Sequence, residues 1–189
     1  MIKFSSYCTL ILLIIIGCNR VSYISSAGAE LPVMIKGNND ANDYIIVIAG
    51  GPAGDGIMYR YIFPLFKKLE KTYQVVYYDQ RASGNAKGTP DTTSLNLAQH
   101  ATDLDLIIDR LVTNDVKANI SLIGYSYGGS ILLTYLKREK TQPKIKTAIT
   151  IAGAFDRKMQ RQYQQKITLE LLDQWVSEEY IESYDYITS

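Results

Sequence analysis

Short runs of apolar residues alternate along this chain with segments in which apolar residues recur at helical spacing. The uninterrupted runs at residues 44–50 and 73–79 predict strands buried within the sheet, and residues 118–123 and 144–153 predict a third and a fourth strand. The helical spacing predicts helices over residues 59–71, 95–112 and 130–140. Strands that alternate with helices are typical of right-handed crossovers in a mostly parallel sheet, so the predicted fold class is α/β with flanking helices.

The extreme N-terminus departs from this pattern. Lys3 precedes an apolar block over residues 10–16, which suits a signal peptide but is shorter than the ~20 residues of a membrane span. The letters IIGC resemble a bacterial lipobox, with Gly17 directly before Cys18. That resemblance implies cleavage after residue 17, lipidation of Cys18, and a protein anchored to a membrane of the bacterial cell envelope, facing outside the cytoplasm. The alternative is a cleavable secretory signal or a short anchor helix.

The composition of the chain indicates which class of protein it belongs to. A hydrophobic content of 47% and a charged content of 21% fit one globular domain within 189 residues, not a disordered chain. The net charge is +1 and the basic residues are scattered, so we expect no nucleic acid partner. Residues 18–30 are rich in Ser, Ala and Gly, which predicts a flexible tether.

The stretch GYSYGG, residues 124–129, fits the pattern G-x-S-x-G between a predicted strand and a predicted helix. In that setting the serine lies on a sharp, strained turn that lifts its hydroxyl out of the sheet, so Ser126 is the candidate nucleophile. Gly124 and Gly128 flank it because a side chain at either position would collide with neighbouring backbone. The alternative is an ordinary glycine-rich turn.

The stretch AGGPAG, residues 49–54, follows the first buried strand. Consecutive glycines let backbone N–H groups face a cleft, and such a loop supplies one donor of an oxyanion hole. The second donor is the N–H of the residue after the nucleophile, here Tyr127. Pro52 has no N–H, so Gly51 is the first choice for the loop donor and Gly50 the second. The alternatives are a plain turn and a phosphate-binding loop, but the latter needs a Lys-Ser or Lys-Thr pair here, and the sequence reads GPAGDGIMY.

These two motifs and DQRASG, residues 79–84, together resemble the prolyl iminopeptidase-like branch of the α/β-hydrolase family. The resemblance covers residues 31–154 and implies an α/β-hydrolase core with an eight-stranded sheet, a helical cap, and a Ser–Asp–His triad. It implies Ser126 as the nucleophile, with Gly51 and Tyr127 forming the oxyanion hole.

The resemblance also implies that Asp79 and Arg81 brace the loops near the site, the alternative being a surface ion pair. Three alanines depart from the motifs of the branch. Ala49 replaces a histidine, while Ala53 and Ala82 stand where glycines are expected. These departures concern the geometry of the oxyanion hole more than the fold.

Two of the three triad residues, the acid and the base, are not evident in the sequence. The chain has one histidine, His100, which precedes Ser126 and lies in a predicted helix, so we expect an exposed or capping residue there. Asp156 is a weak candidate for the acid, and residues 155–189 match the beginning of the cap. We therefore expect the N-terminal part of a longer protein, truncated at the start of the cap and nearly inactive alone.

The expected function is that of a lipid-anchored serine hydrolase resembling a proline iminopeptidase, acting on a small peptide or ester through an acyl-enzyme. This chemistry requires no cofactor or metal, and we expect neither. An esterase, lactonase or epoxide hydrolase remains an alternative, because one fold hosts all of these activities. A non-catalytic lipoprotein that binds a partner is another, as is a site completed by a complementing C-terminal chain.

Overall fold

The computed structural model describes residues 21–138, 144–153 and 157–177. The strands in these ranges are β1 (Val21–Ser26), β2 (Ala29–Gly37), β3 (Asp43–Ile48), β4 (Gln74–Tyr78), β5 (Lys87–Gly88), β6 (Asn119–Tyr125) and β7 (Ile145–Ile151). The helices are α1 (Gly56–Ile62), α2 (Pro64–Leu69), α3 (Leu97–Asn114), α4 (Tyr127–Leu136) and α5 (Arg157–Ser177), with a 3₁₀ turn at Thr92–Ser94. The predicted signal peptide, Cys18 and Asp156 lie outside the described residues.

One sheet organises the described residues, in the order β1-β2-β4-β3-β6-β7, with β5 paired to β2. Strands β4, β3, β6 and β7 are parallel, and Val76, Ile46, Leu122 and Ala148 form one row across them. Strands β1 and β2 add an antiparallel border. The predicted α/β class is confirmed, and the parallel strands direct their carboxyl ends to one edge of the sheet.

The predicted tether over residues 18–30 is wrong from Val21 onward. β1 and β2 form an antiparallel hairpin whose last pair joins Ser26 to Ala29. The two turn residues, Ala27 and Gly28, have φ angles of 42° and 78°, which match the tight turn that connects such strands. The small polar residues of this segment suggested a flexible linker, whereas β2 buries Leu31 and so holds the hairpin in the sheet.

The predicted helix over residues 59–71 is divided into α1 and α2. Phe63 has extended backbone angles, φ −115° and ψ 97°, and Pro64 begins α2. A residue before proline avoids the helical region, and proline itself is accommodated in a first helical turn. The break follows from Pro64, and Tyr59 of α1 and Phe66 of α2 both pack in the cluster that covers this face of the sheet.

Helices cover both faces of the sheet. On one face α3 and α4 pack against residues of β3, β4 and β6, including Ile46, Ile48, Val76, Ile120 and Leu122. On the other face Ile57 and Phe66 from α1 and α2 pack against β3 and β4. The β3 and β4 runs are buried as predicted.

Strand β7 lies at the edge of the described sheet. Its apolar residues Ile149 and Ile151 are 48% and 43% exposed, as expected for an edge strand with partial cover. The segment predicted as the start of a cap is helical in α5, with Tyr163 and Ile167 exposed. Among the described helices, none is both long and apolar enough to span a bilayer.

Candidate active site

Ser126 occupies the turn between β6 and α4, at the carboxyl edge of the sheet. Its backbone angles, φ 51° and ψ −117°, are unfavourable for a residue with a side chain. The Ser126 N–H donates to the carbonyl oxygen of Ile151 at 2.8 Å, which ties the turn to the end of β7. The side chain is half-buried, and its Oγ makes no hydrogen bond to any residue that the structure describes. This is the strained strand–turn–helix geometry that suits a nucleophile.

Two glycines make this turn possible. A Cβ on Gly124 would lie 2.6 Å from the carbonyl oxygen of Gly128. A Cβ on Gly128 would overlap the carbonyl oxygen of Ile48 and lie 2.6 Å from that of Ala49. The structure therefore confirms that a side chain at either position would collide with neighbouring backbone.

The loop that follows β3 lies directly against the turn. A Cβ on Gly50 would lie 3.2 Å from Ser126 Cβ. The Gly50 N–H donates to Tyr59 Oη at 2.9 Å, so it is already used. Gly51 is exposed and has φ +150°, so it stays the first choice for the loop donor, and Pro52 is exposed beside it. On the other side, Tyr127 begins α4, where backbone N–H groups point out of the helix end.

Gln80 also holds this loop, and the sequence analysis missed it. Its side chain is buried, accepts the Gly54 N–H at 3.1 Å, and donates to the carbonyl oxygen of Ala49 at 2.8 Å. The Gln80 backbone N–H donates to the Gly54 carbonyl oxygen at 3.1 Å. The sequence feature that could have identified Gln80 is its position between Asp79 and Arg81, at the carboxyl end of a buried strand.

Asp79 is fully buried and braces two neighbouring segments. Its carboxylate accepts the N–H of Ile57 at 2.9 Å, at the start of α1, and the N–H of Asn85 at 2.8 Å. Burial raises the pKa of Asp79, while these two hydrogen bonds oppose the shift. Because it is buried and hydrogen-bonded to backbone, the surface ion pair considered as an alternative is wrong.

Arg81 is also fully buried, and its partner is Asp103 on α3, not Asp79. Arg81 Nε donates to Asp103 Oδ2 at 2.8 Å and Nη2 donates to Oδ1 at 2.5 Å. Three further bonds reach Ser94 Oγ at 3.0 Å, Ser26 Oγ at 3.2 Å and the Ser26 carbonyl oxygen at 3.3 Å. Arg81 therefore connects the loop after β4 to α3 and to the N-terminal hairpin.

The two alanines that replace expected glycines both have left-handed backbones. Ala53 has φ 63° and Ala82 has φ 59°. L-residues adopt this region at a cost of about 1–2 kcal/mol, which glycine avoids. The loops thus keep a glycine-like conformation although their residues differ from the motif.

His100 is 4% exposed, so the expectation of an exposed or capping residue is wrong. Its ring packs edge-to-face on the ring of Tyr127, with centroids 5.7 Å apart. The N-cap of α3 is instead Asn96, whose side chain accepts the Gln99 N–H. His100 is a packing neighbour of the residue after Ser126 and makes no hydrogen bond to Ser126.

The burial of His100 predicts a loss of stability on acidification. Burial lowers the pKa of His100 from 6.5, the nearby Asp103 opposes that shift, and Arg81 adds to it. Below about pH 6.5 the unfolded chain therefore binds a proton that the folded protein takes up only at lower pH. The free energy of unfolding should fall by at most about 1.4 kcal/mol per pH unit below that point. Urea unfolding at about pH 7 and pH 5.5 measures this change.

The matched variant is His100→Phe, which keeps an aromatic ring against Tyr127 and has no group that titrates. Since the chain has one histidine, this variant should lose most of the pH dependence between about pH 5.5 and 7. An equal pH dependence in both proteins would contradict the prediction.

A family model described as alpha/beta hydrolase fold matches residues 43–183. A proline iminopeptidase of Saccharolobus solfataricus is 28% identical over 101 residues, which make up 53% of this chain and 30% of that protein. The crystal structure of a proline iminopeptidase-related protein of Thermus thermophilus has 27% identity and a TM-score of 0.58, covering 71% of this chain and 44% of its own.

An esterase of Exiguobacterium antarcticum has the same fold, with a TM-score of 0.56 at 21% identity, over 72% of this chain and 46% of that protein. The chain thus spans less than half the length of these three relatives. The resemblance predicted from the three motifs is confirmed by the family model and by the two proline iminopeptidase-type relatives. The chain belongs to the α/β hydrolase family.

Proposed function

We propose that this chain carries the nucleophile of a serine hydrolase of the proline iminopeptidase-like type. The observation that carries the proposal is the strained turn at Ser126, with the Gly50–Gly51 loop against it. The likeness to a proline iminopeptidase supports an amide of a small peptide as the first substrate class, with esters second.

In this mechanism Ser126 Oγ attacks the carbonyl carbon of the substrate while its proton passes to a general base. The carbonyl oxygen becomes an oxyanion that accepts hydrogen bonds from the N–H groups of Gly51 and Tyr127. The tetrahedral intermediate then releases the amine or alcohol, which takes up the proton, and leaves an acyl group on Ser126. Water hydrolyses the acyl-enzyme by the same route.

The base and the acid of the triad are proposed to come from residues outside these 189. His100 is buried against Tyr127, and the chain has no other histidine. The matching region covers 44% of the related Thermus protein, so more than half of that protein has no counterpart in the match. These residues would belong to the continuing polypeptide or to a complementing C-terminal chain.

Reaction of Ser126 with a fluorophosphonate tests the nucleophile. We expect mass spectrometry to find the adduct on Ser126, and added imidazole to accelerate it because imidazole can accept the serine proton. Ser126→Ala should abolish the adduct, whereas Ser121→Ala, on the preceding strand β6, should leave it unchanged. Without imidazole, Ser126→Ala should not alter the hydrolysis of an activated ester.

An adduct that persists in Ser126→Ala, or a native chain that is never labelled, would contradict the proposal. The substrate class is tested by protection. A prolyl amide that slows labelling more than a short-chain ester does would support peptides as substrates, and the reverse order would favour esters.

We also propose that the protein is anchored to a membrane through lipidated Cys18. Since β1 begins at Val21, at most about 11 Å of extended chain separates the two Cα atoms, and the β1 edge would lie at the membrane surface. Incorporation of labelled palmitate in a bacterial host is expected to be lost in Cys18→Ser and retained in Cys8→Ser. Equal labelling of both variants would exclude this anchor.

A further inference from the structure

The half-buried side chain of Tyr59 on α1 connects the glycine loop to the nucleophile turn. Its Oη accepts the Gly50 N–H at 2.9 Å. A Cβ on Gly50 would lie 3.2 Å from Tyr59 Oη and 3.2 Å from Ser126 Cβ. The phenol oxygen, the loop backbone and the nucleophile are therefore in mutual proximity.

Aromatic contacts fix the ring of Tyr59. Its centroid lies 4.9 Å from that of Phe63, 6.5 Å from that of Phe66 and 6.1 Å from that of Tyr125. Such edge-to-face and offset pairs restrict a ring more than simple burial does. Tyr125 directly precedes Ser126, so the ring of Tyr59 is held partly by the element that positions the nucleophile.

The sequence of the glycine loop places few restrictions on its own backbone conformation. Gly50 and Gly51 are consecutive, and glycine samples a wider range of backbone angles than any other residue. The direction of the Gly51 N–H depends on the orientation of the peptide unit before it, which the Gly50 N–H hydrogen bond restricts. The Tyr59 hydroxyl thus holds the N–H side of this peptide unit next to Ser126, while Gln80 holds its carbonyl side through the Ala49 oxygen.

We propose that Tyr59 is a positioning residue for the oxyanion hole. Its hydroxyl anchors Gly50 and thereby holds the Gly51 N–H toward the carbonyl oxygen of a substrate on Ser126. The inference rests on the proposed function, in which Gly51 stabilises the oxyanion. Tyr59 acts through the loop and does not itself contact the substrate.

The test compares Tyr59→Phe, which removes only the hydroxyl, with Tyr61→Phe on the same helix. Tyr61 is 51% exposed, and its ring lies against Arg60 and Lys67, away from the loop. Amide hydrogen exchange by NMR should be about tenfold faster or more at Gly50 in Tyr59→Phe, because this amide loses its acceptor. Tyr61→Phe should leave the Gly50 amide unchanged.

The buried amide of Ile46 serves as the reference for global stability. Equal acceleration at Gly50 and Ile46, or no acceleration at Gly50, would overturn the inference, since the hydroxyl would then have no specific effect on the loop.

The second readout is fluorophosphonate labelling of Ser126 with imidazole present. Tyr59→Phe should lower the maximal labelling rate about tenfold at an unchanged half-saturating concentration, less than the ~10²–10³ typical of deleting a donor. Faster exchange with unaltered labelling would overturn the oxyanion role. If the native chain is not labelled at all, the proposed function fails, and the exchange comparison alone decides whether Tyr59 orders the loop.

Discussion

Replacement of Asp103 by alanine is expected to lower the free energy of unfolding by about 3–5 kcal/mol. Asp103 is the carboxylate that pairs with Arg81, and the side chains are 1% and 0% exposed. The contacts of Arg81 with Ser26 and Ser94 reach only neutral hydroxyl or carbonyl groups. The variant would therefore leave a guanidinium cation buried without a counter-charge. Urea or guanidinium unfolding measures the change.

Asp109→Ala is the control on the same helix. Asp109 is 52% exposed and pairs with Lys144 at 2.5 Å, an arrangement that contributes at most about 1 kcal/mol. The double variant Arg81→Met/Asp103→Leu should recover part of the loss, because it leaves no buried charge. If Asp103→Ala costs no more than Asp109→Ala, then the buried pair is not the main support of this region.

The same pair explains why the N-terminal hairpin is part of the fold. Ser26, the last residue of β1, donates to Asp103 Oδ1 at 2.6 Å and accepts from Arg81 Nη2. The hairpin, the loop after β4 and α3 thus share one hydrogen-bond network. Loss of Asp103 should loosen the loop that carries Gln80, which in turn holds the glycine loop of the candidate site.

The features that were predictable from sequence are those with local causes. The apolar runs predicted β3, β4, β6 and β7 to within a few residues. For β3 and β4 the reason is that strands covered on both faces need unbroken apolar side chains. The turn at Ser126 was recognisable because Gly124 and Gly128 flank the serine within five residues, although the backbone that excludes a side chain at Gly128 is that of Ile48 and Ala49. The start of α2 was also encoded locally, by Pro64, and a stricter use of that proline would have divided the predicted helix.

The features that were not predictable depend on partners distant in sequence. Arg81 could pair with nearby Asp79 or with any other carboxylate, and only the packing of α3 on the sheet selects Asp103. The burial of His100 likewise follows from α4, which places Tyr127 against it. The first strand of the hairpin, β1, was missed because the polar side chains on this edge strand give no clear alternation. In each case the deciding contact joins elements that lie apart in the sequence.

Replacement of Gly128 by alanine is expected to lower the free energy of unfolding by about 3 kcal/mol or more. The added Cβ would overlap the carbonyl oxygen of Ile48, and it would lie 2.6 Å from that of Ala49. These two carbonyl groups lie at the end of β3 and directly after it, so they cannot move without shifting the glycine loop. Thermal or urea unfolding should show the loss, and fluorophosphonate labelling of Ser126 should fall with it.

Gly129→Ala is the matched control in the next position of α4. Its Cβ would lie 3.0 Å from Gly153 Cα and 3.6 Å from Thr150 Cβ, so only a small adjustment is needed. Alanine also favours a helix over glycine by about 1 kcal/mol, which offsets that cost. We expect this variant to remain within about 1 kcal/mol of the native protein. If Gly128→Ala proved equally mild, the end of β3 would have to be free to move away from α4. The contact between β3 and α4 could then not be what holds the Gly51 N–H in place.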